Sequence, residues 1–352
     1  MIADCKEVIM YLPSMQVGGG NRILLEFGER LIQDKFKVSL AFCDYGKQNF
    51  KSAGNLNIIS TSPKVKSKFL KFIFGHIELI LKIRSNKEAL CIVSDPILSI
   101  FSFFLYPKRV IRFVQSDDEN LFNDRFPSLI NYLYKFLFFL SKKYSYRQVI
   151  FNSPFSMQKY DAQLSIDKEK IIFPFISEGL KSEFYQEKDY PDKPVVTCLY
   201  RPKHPRKGGT FLRNFYFKYQ NKYLFQFITP SNEKTADDVN MHLISPKDDK
   251  ELKDILRSSH FVVNASIFEG FGLFLFEGMS NGCIPLSVEF EALKDLNHNK
   301  IISIINSEED LDRQISSFYQ NKTEIARLSK ECFEFSKKFN IESFYSSFRK
   351  YI

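Results

Sequence analysis

Residues 268–283, FEGFGLFLFEGMSNGC, follow an apolar run that ends near Ser266 and lead into another that begins at Cys283. The apolar runs predict two strands. The glycines between them predict a turn and then a short helix, which starts near Leu273 and is capped by Gly282. A strand, a turn and a helix in this order are typical of a parallel α/β sheet. The start of such a helix presents unpaired N–H groups and favours an anion.

Two glutamates flank this turn. Glu269 precedes it and Glu277 lies on the predicted helix beyond it, so both carboxylates could accept hydrogen bonds from sugar hydroxyls beside a bound phosphate. A glutamate near a helix N-terminus also stabilises the helix by itself, and that explanation suffices for an isolated pair of glutamates at this spacing.

The alternation of short apolar runs with helical patterns extends over most of the chain and predicts βαβ units. The predicted strands of the first half are 7–13, 37–42, 90–95, 109–115, 148–153 and 171–176. Those of the second half are 195–200, 223–229, 239–245, 260–266, 283–287 and 301–306. The polar, proline-bounded segment Glu183 to Pro194 predicts an exposed linker between them. We therefore expect two Rossmann-like domains, residues 1–186 and 187–336.

Two other glycine-containing segments follow predicted strands. Leu199 to Gly209, LYRPKHPRKGG, places a cluster of cations where open α/β sheets bind ligands, which suits a phosphate-bearing substrate. Val17 to Arg22, VGGGNR, lies between the first strand and the first helix, where glycines allow the backbone to approach a ligand closely. A solvated basic loop and a tight βα turn are the respective alternatives. VGGGNR also lacks the G-x-G-x-x-G pattern of dinucleotide-binding proteins.

The composition limits the class of protein, its partners and its cellular compartment only broadly. The 352-residue chain is ordinary for a globular protein, and its net charge of +9 leaves nucleic acid, membrane and phosphorylated substrates open as partners. The cysteines form no C-x-x-C pair and no secretion signal is apparent, so we expect a reduced, cytoplasmic protein. The apolar segment Ser128 to Ser141 is interrupted by Lys135 and is too short to span a bilayer.

Basic and apolar residues alternate in two segments of the first half, which predicts contact with an anionic membrane surface. A solvated helix face over the core is the alternative explanation. The first segment combines lysines with apolar residues at Lys64, Lys66, Lys68, Phe69, Leu70, Lys71, Phe72, Ile73 and Phe74. The second segment, residues 132–147, combines aromatic residues with Lys135, Lys142, Lys143 and Arg147.

Three segments, taken in order, resemble family 4 of the retaining GT-B glycosyltransferases. EGFGLFLFEGMSNGCIPL is similar to the donor-binding signature of that family, E-G-F-G-L followed by E-A-M-A-x-G-x-P. RPKHPRKGG resembles its arginine-to-lysine phosphate clamp, and PSMQVGGGNRILLEFGERL resembles its N-terminal glycine loop and first helix. The resemblance implies a GT-B fold, with a cleft between two Rossmann-like domains. It also implies a C-terminal helix, residues 337–352, that crosses back to the N-terminal domain.

The resemblance implies a role for each matching residue. Glu277 would bind the ribose of a nucleotide sugar, Glu269 would face the transferred sugar, and Arg201 and Lys207 would neutralise the leaving diphosphate. Glu269, Arg201 and Lys207 are thus the expected catalytic residues. The remaining donor-binding residues would be Gly19 and Gly20 from the opposite domain, Gly270, and the backbone N–H groups of Phe271, Gly272 and Leu273.

The chain departs from the family pattern at three places. Tyr200 stands where a glycine usually precedes Arg201, and Gly278 replaces the alanine after the second glutamate. Val114 to Glu119, VQSDDE, replaces a segment in which many relatives have a histidine. Relatives that act on deoxy-sugar donors such as rhamnose show similar Val-Gln-Asp runs, which puts Gln115 near the transferred sugar or the acceptor.

Sugar transfer with retention needs no enzyme nucleophile, and we expect neither a metal nor a cofactor. The implied partners are a nucleoside-diphosphate sugar and a glycan or lipid-linked acceptor of bacterial surface-polysaccharide synthesis, such as capsule or lipopolysaccharide. The alternatives are a noncatalytic GT-B homologue that binds a nucleotide sugar or a partner transferase, a nucleotide-sugar 2-epimerase, and a nucleic-acid-binding module. The intact clamp and glutamates argue against the first, and the lack of a recognised motif argues against the last.

Overall fold

The computed structural model divides the chain into two compact units, called unit 1 and unit 2 below. Unit 1 is Met1–Pro174 with Glu342–Ile352, and unit 2 is Phe175–Ile341. The expected division lay at 186/187, with the C-terminal helix starting at 337. The described residues are 7–12, 19–43, 56–94, 96–101, 105, 109–118, 128–144, 148–161, 166–230, 235, 238, 240–297 and 300–352.

A six-stranded sheet with the order β3-β2-β1-β4-β5-β6 forms the centre of unit 1. All of its strands run parallel. The order reverses between β1 and β4, and in open α/β sheets such a reversal is where ligands bind, at the carboxyl ends of the strands. The strands are β1 (Glu7–Tyr11), β2 (Lys37–Cys43), β3 (Asn57–Thr61), β4 (Leu90–Val93), β5 (Val110–Val114) and β6 (Gln148–Phe151).

Helices cover both faces of this sheet. On one face, α12 places Phe344 and Phe348 against Phe27 of α1 and Phe113 of β5, with ring centroids 4.8–5.8 Å apart. The expected C-terminal helix that packs on the N-terminal domain is therefore confirmed. The helices of unit 1 are α1 (Gly19–Gln33), α2 (Lys68–Ser85), α3 (Pro96–Phe101), α4 (Ser128–Tyr144), α5 (Pro154–Tyr160) and α12 (Ile341–Phe348).

Unit 2 has a second six-stranded sheet with the order β12-β11-β10-β7-β8-β9. It is also parallel throughout, and β7 and β10 are neighbours at its centre. Two Rossmann-like domains, as expected from the sequence, are thus confirmed. The strands are β7 (Val195–Leu199), β8 (Leu224–Ile228), β9 (Leu243–Ile244), β10 (Phe261–Asn264), β11 (Ile284–Val288) and β12 (Ser303–Ile305).

The core of unit 2 is rich in aromatic side chains, which pack between the sheet and its helices. The ring centroid of Phe215 in α6 lies within 6 Å of those of Tyr223 and Phe225, so α6 and β8 share one aromatic layer. The helices are α6 (Gly209–Tyr219), α7 (Asp249–Ser258), α8 (Leu273–Met279), α9 (Glu291–Leu296), α10 (Glu308–Gln320) and α11 (Lys322–Ser336).

Two segments in the first half of the chain differ from the predicted strands. Residues 171–176 form only an isolated bridge between Ile171 and Phe151, because Pro174 has no N–H group to extend a ladder. β3 was not predicted. It is an edge strand whose residues alternate poorly between apolar and polar, and only Thr61 of the five is buried.

The predicted linker, Glu183 to Pro194, is anchored on unit 2. Lys188 Nζ donates to the carbonyl oxygens of Leu256, Arg257 and Ser259 at the end of α7. Burial lowers the pKa of Lys188. Tyr185 Oη donates to the carbonyl oxygen of Ala326 over 3.3 Å. Because of these contacts, residues 183–194 belong to unit 2, which begins at Phe175.

In the described part of the chain, no helix combines the length and the apolar character that crossing a bilayer requires. The apolar segment that begins at Ser128 is a helix of unit 1, α4, and it packs on the sheet through Tyr134 and Phe138.

Candidate functional site

The loops that follow β7 and β10 contact each other at the carboxyl end of the second sheet. Because β7 and β10 are parallel neighbours, both loops leave the sheet at the same edge. Lys207 of the first loop donates from Nζ to Glu269 Oε1 of the second over 2.7 Å, and to the carbonyl oxygen of Phe268 over 3.2 Å. The structure thus brings together two of the predicted catalytic residues, which are 62 positions apart in the sequence.

This ion pair lies at the surface of unit 2 and is only partly shielded from water. The Lys207 and Glu269 side chains are 29 % and 18 % exposed, respectively. Both groups therefore remain accessible to an incoming ligand, and water screens the attraction between them. A diphosphate that binds here can take Lys207 as a partner in place of the carboxylate.

The loop that follows β7, residues 201–208, is called the clamp loop below. Its shape depends on a short 3₁₀ helix and a glycine. Pro205–Lys207 form the 3₁₀ helix, and Gly208 follows it in the left-handed conformation with φ 67°. A Cβ atom at Gly208 would collide with the carbonyl oxygen of Ala265, which follows β10. Only glycine lets the two loops approach this closely, so Gly208 sets the distance between Lys207 and Glu269.

Arg206 also joins the loops that follow β7 and β10. Its carbonyl oxygen accepts hydrogen bonds from Ile267 N over 3.0 Å and from Ser266 Oγ over 3.3 Å. Its guanidinium lies over the ring of Phe268, 4.8 Å from the centroid. The sequence showed Arg206 only as one cation of the cluster, because its backbone and stacking contacts depend on a loop that is distant in the sequence.

Arg201 begins the clamp loop and is held close to His204. The two side chains approach to 3.3 Å between Nη2 and Nε2, and His204 N donates to the carbonyl oxygen of Arg201 over 3.0 Å. Tyr200 precedes Arg201 and is buried. Its hydroxyl donates to Asp238 Oδ1 over 2.7 Å.

Asp238 is itself fixed by Thr235, which donates to Oδ2 from its backbone N–H and its hydroxyl. Burial favours the neutral acid, but these hydrogen bonds and that from Tyr200 outweigh it, so the pKa of Asp238 is lowered. Tyr200 therefore anchors the start of the clamp, at the position where the resembling family usually has glycine.

The turn before α8 has the predicted form. Gly272 adopts φ 81°, and α8 starts directly after it at Leu273. A Cβ at Gly272 would come within 2.8 Å of Phe290 Cζ, so the packing as well as the backbone conformation requires glycine. Phe271 is buried against Phe276, with ring centroids 4.7 Å apart. Gly282, with φ 73°, ends this segment as predicted.

Glu277 lies on the less buried side of α8. Leu273 and Glu277 are one turn apart and both half-buried, whereas Phe274, Leu275 and Phe276 between them are buried. The Glu277 carboxylate therefore shares the outer face of the helix with the residue that starts it. Its carbonyl oxygen accepts hydrogen bonds from Ser280 and Asn281, which close the C-terminal end of the helix.

Unit 1 has its own polar cluster at the carboxyl edge of its sheet. Gly19 and Gly20 are the first residues of α1, and a Cβ at Gly20 would lie 2.9 Å from both amide atoms of Gln115. Gln115 Nε2 donates to Ser94 Oγ, and Asn152 Nδ2 donates to the carbonyl oxygen of Gln115 over 2.8 Å. Two more predicted site residues, Gly20 and Gln115, are therefore in contact. Val17 and Gly18 of the same glycine loop lie outside the described residues.

Sequence reasoning missed Ser94 and Asn152. Ser94, Gln115 and Asn152 each directly follow a strand, and those strands, β4, β5 and β6, are consecutive neighbours in the sheet. The signal available in the sequence was the first polar residue after each apolar run, since parallel strands end at a common edge.

The contact between Gly20 and Gln115 can be tested with alanine. In Gly20→Ala, we expect the flexible amide of Gln115 to move away from Ser94 while the fold is retained. If the amide orients a reacting group, Gly20→Ala and Gln115→Ala should each lower kcat roughly 10- to 100-fold, because small misplacements in an active site have effects of this size. The double variant should lose no more than the worse single variant. Additive losses, or a lowered melting temperature in Gly20→Ala, would contradict this role.

A buried ion pair fixes the segment that follows Gln115. Arg112 of β5 is fully buried, and its guanidinium donates to Asp118 and, over 2.9 Å, to the carbonyl oxygen of Val93. Ser116 Oγ donates to the other oxygen of the Asp118 carboxylate over 3.0 Å. These contacts therefore hold residues 116–118, which directly follow Gln115, against β5.

Comparison with known proteins gives one family match, in unit 2. Residues 231–335 match the family model described as glycosyl transferases group 1. A comparison with curated proteins gives no significant match.

Solved structures resemble the whole chain at low sequence identity. Sucrose-phosphate synthase from Thermosynechococcus elongatus is 14 % identical with a TM-score of 0.78, over 98 % of this chain and 97 % of that one. HepE from Anabaena, in complex with UDP-glucose, is 12 % identical with a TM-score of 0.72, over 98 % of both chains. WaaG, a glycosyltransferase involved in lipopolysaccharide biosynthesis, is 10 % identical with a TM-score of 0.72, over 96 % of this chain and 97 % of that one. The chain therefore has the GT-B fold, and part of its second unit matches the glycosyl transferases group 1 model.

Proposed function

We propose that this protein is a retaining glycosyltransferase that moves a sugar from a nucleoside-diphosphate donor to a glycan or lipid-linked glycan acceptor. The observation that carries the proposal is the contact between Lys207 and Glu269, which joins a cation and a carboxylate at one sheet edge. The glycosyl transferases group 1 match over residues 231–335 supports the reaction class. A UDP-glucose complex of the structurally similar HepE supports the donor class.

The cations of the clamp loop provide the main catalytic effect. Arg201 and Lys207 bind the diphosphate, whose negative charge grows as its bond to the anomeric carbon breaks. The electron pair of that bond stays on the phosphate oxygen. The acceptor oxygen attacks the same face of the sugar and passes its proton to the departing diphosphate, so no enzyme nucleophile is needed. Preorganised charges that stabilise a developing charge commonly lower the barrier more than any other single effect in an enzyme.

The two glutamates have different roles in this mechanism. Glu277, on the outer face of α8, accepts hydrogen bonds from the ribose hydroxyls. Glu269 faces the transferred sugar and holds Lys207 in place until the diphosphate arrives. Backbone N–H groups of Phe271, Gly272 and Leu273 complete the phosphate site, beside Gly270. Gly19, Gly20 and Gln115 of unit 1 serve the sugar and acceptor side.

Two fixed cations neutralise the diphosphate, so we propose that transfer is independent of a metal ion. Activity should therefore be unchanged by an excess of EDTA. We also propose that the protein works in the cytoplasm, in bacterial surface-polysaccharide synthesis such as that of capsule or lipopolysaccharide. The involvement of the similar WaaG in lipopolysaccharide biosynthesis supports that setting.

The glutamate roles predict two distinct kinetic losses. Ribose contacts change little during transfer, so Glu277→Ala should raise the donor KM roughly 10- to 150-fold, as the loss of a charge-assisted hydrogen bond implies, with little change in kcat. Glu269→Gln should mainly lower kcat, because contacts to the sugar tighten as positive charge develops at its ring. Its amide oxygen can still accept from Lys207, so the affinity for bare nucleoside diphosphate should be nearly unchanged. If the donor KM rose by the same factor in Glu277→Ala and in Glu269→Gln, the separate roles proposed for the two glutamates would be contradicted.

A donor screen tests the proposed function. The protein is incubated with UDP-, GDP- and dTDP-sugars, and the release of nucleoside diphosphate is measured with and without a glycan acceptor. We expect release that depends on the acceptor, together with extension of the glycan. Release of free sugar without an acceptor would instead identify a 2-epimerase or a hydrolase. Binding of a nucleotide sugar without any release would identify a noncatalytic homologue.

A further inference from the structure

Unit 2 has a cavity at the amino edge of its sheet, on the opposite edge from the loops that follow β7 and β10. Its volume is about 310 Å³. Val195, the first residue of β7, and His260, which directly precedes β10, both line it. β7 has five residues, so roughly 17 Å of strand separates the cavity from the candidate donor site. The cavity is therefore distinct from that site.

The buried polar residues that line the cavity already have partners within the protein. Val195 N donates to His260 Nδ1 over 3.0 Å, so His260 Nε2 carries the proton and donates to the carbonyl oxygen of Asp189 over 2.7 Å. Burial lowers the pKa of His260, which keeps the ring neutral. Asn281 Nδ2 donates to the carbonyl oxygen of Glu277 over 2.9 Å. Contacts to a ligand are therefore left to the exposed residues of the cavity.

One wall of the cavity belongs to the segment that the sequence predicted as a linker. Its Phe184 is 77 % exposed, more than any other large apolar side chain in the described part of the chain. Ser182, two positions earlier, donates from Oγ to Asn281 Oδ1 over 2.8 Å. Tyr185, the next residue, donates from Oη to Ser329 Oγ over 3.2 Å. A single exposed ring is common on a protein surface, but this ring lines a cavity and lies between anchored neighbours.

The charged groups of the cavity favour a neutral ligand. Glu187 and Asp189 are exposed and contribute two carboxylates. Lys188 lies between them in the sequence, but its ammonium group is committed to backbone carbonyl oxygens at the end of α7. Of the lining residues, which all belong to the described part of the chain, Arg257 is the cation that remains, and its Nη2 donates to Gln186 Oε1. Two carboxylates against one guanidinium disfavour a phosphate or another anion.

A saccharide meets these conditions. Its hydroxyl groups can donate to the carboxylates and accept from the guanidinium, and hydrogen bonds to charged groups are the stronger ones. The C–H face of a sugar ring is apolar, and the exposed ring of Phe184 can remove it from water. The volume is near the lower limit for small-molecule sites and suits about one or two sugar rings.

We infer that this cavity is a second saccharide site, which binds a segment of a glycan apart from the donor site. Phe184 stacks on a sugar ring, and Arg257 and Glu187 bind its hydroxyl groups. The inference deepens the proposed function and rests on it in one respect, since a glycan is the proposed acceptor. Binding itself requires neither donor nor sugar transfer.

A fluorescent reporter at position 184 tests the site directly. The chain has no tryptophan, so Phe184→Trp introduces a single indole ring that can still stack on a sugar. The variant is titrated with the methyl glycosides of glucose, galactose, mannose, rhamnose and N-acetylglucosamine, and with lipopolysaccharide core oligosaccharide. We expect a saturable change in emission, with a dissociation constant in the millimolar range, for at least one of these probes.

Matched variants separate this site from unspecific effects on the indole. Phe217 is also exposed on unit 2 but does not line the cavity, so the emission of Phe217→Trp should not change. The addition of Glu187→Ala and Arg257→Ala to Phe184→Trp should raise the dissociation constant of the saccharide roughly 10-fold or more, because both substitutions remove charge-assisted hydrogen bonds.

The assay also distinguishes this site from the donor site. Phe184→Trp combined with Arg201→Ala/Lys207→Ala should keep the saccharide response, since the clamp loop lies at the other edge of the sheet. No saturable change with any saccharide probe, or the same change in Phe217→Trp, would overturn the inference. A response to inorganic phosphate or uridine in place of the saccharides would do the same and would identify an anion or nucleoside site. Because no donor is present, a negative result leaves the donor screen of the proposed function unaffected.

Discussion

Lys207→Ala should lower kcat/KM for sugar transfer by about 100-fold or more, because one well-placed group that stabilises a developing charge is worth that much. Lys207 Nζ contacts Glu269, so its removal takes away the cation of the site and also leaves that carboxylate without its partner. An uncompensated carboxylate would repel the diphosphate. Arg201→Ala should show a loss of similar size. The measurement is steady-state turnover over a range of donor concentrations that reaches saturation.

Lys203→Ala provides the matched control. Lys203 belongs to the same loop and carries the same charge, but it is exposed, whereas Lys207 is partly buried against Glu269. We expect it to retain activity within about twofold, since exposed charges contribute little. Wild-type turnover in Lys207→Ala would contradict the catalytic role of this lysine. An equal loss in Lys203→Ala would show that the loop acts only through its net charge.

Arg112→Met should destabilise unit 1 by about 3 to 5 kcal/mol. The substitution leaves Asp118 as a buried charge without its guanidinium partner, and such losses are of that size. The melting temperature measured by circular dichroism should fall by roughly 6 to 20 °C for a unit of this size. Activity should also fall, because the segment after Gln115 loses its anchor.

The double variant Arg112→Met/Asp118→Asn removes both charges and should recover much of the stability. Replacing a whole buried pair costs far less than breaking it, since no unpaired charge remains. If the single and double variants melt at the same temperature, the ion pair is not what stabilises this segment.

The local features of the candidate site could be predicted from the sequence because they depend on glycine. The start of α8 at Leu273 and its end before Gly282 follow from turns that only glycine adopts readily. The two Rossmann-like domains could be predicted for a similar reason. Buried parallel strands have a strong apolar signal, as in β10, where all four residues are buried.

Contacts between distant segments could not be predicted in this way. The approach of Gly208 to Ala265, the stacking of Arg206 on Phe268 and the hydrogen bond from Gln115 to Ser94 depend on which strands are neighbours. The edge strand β3 was missed because it is largely exposed and lacks an apolar pattern. The segment Glu183 to Pro194 has the composition of a linker, yet one partly buried lysine, Lys188, anchors it.

Calorimetric titration of UDP, GDP and dTDP tests most directly whether the loops after β7 and β10 hold a nucleoside diphosphate. We expect one of these ligands to bind the wild type, and its dissociation constant to rise roughly 10- to 150-fold in Glu277→Ala, with a loss at least as large in Arg201→Ala/Lys207→Ala. Glu269→Gln and Lys203→Ala should bind it with nearly wild-type affinity. Binding of none of the three, or equal affinity in the wild type and in Glu277→Ala and Arg201→Ala/Lys207→Ala, would contradict the proposed donor site.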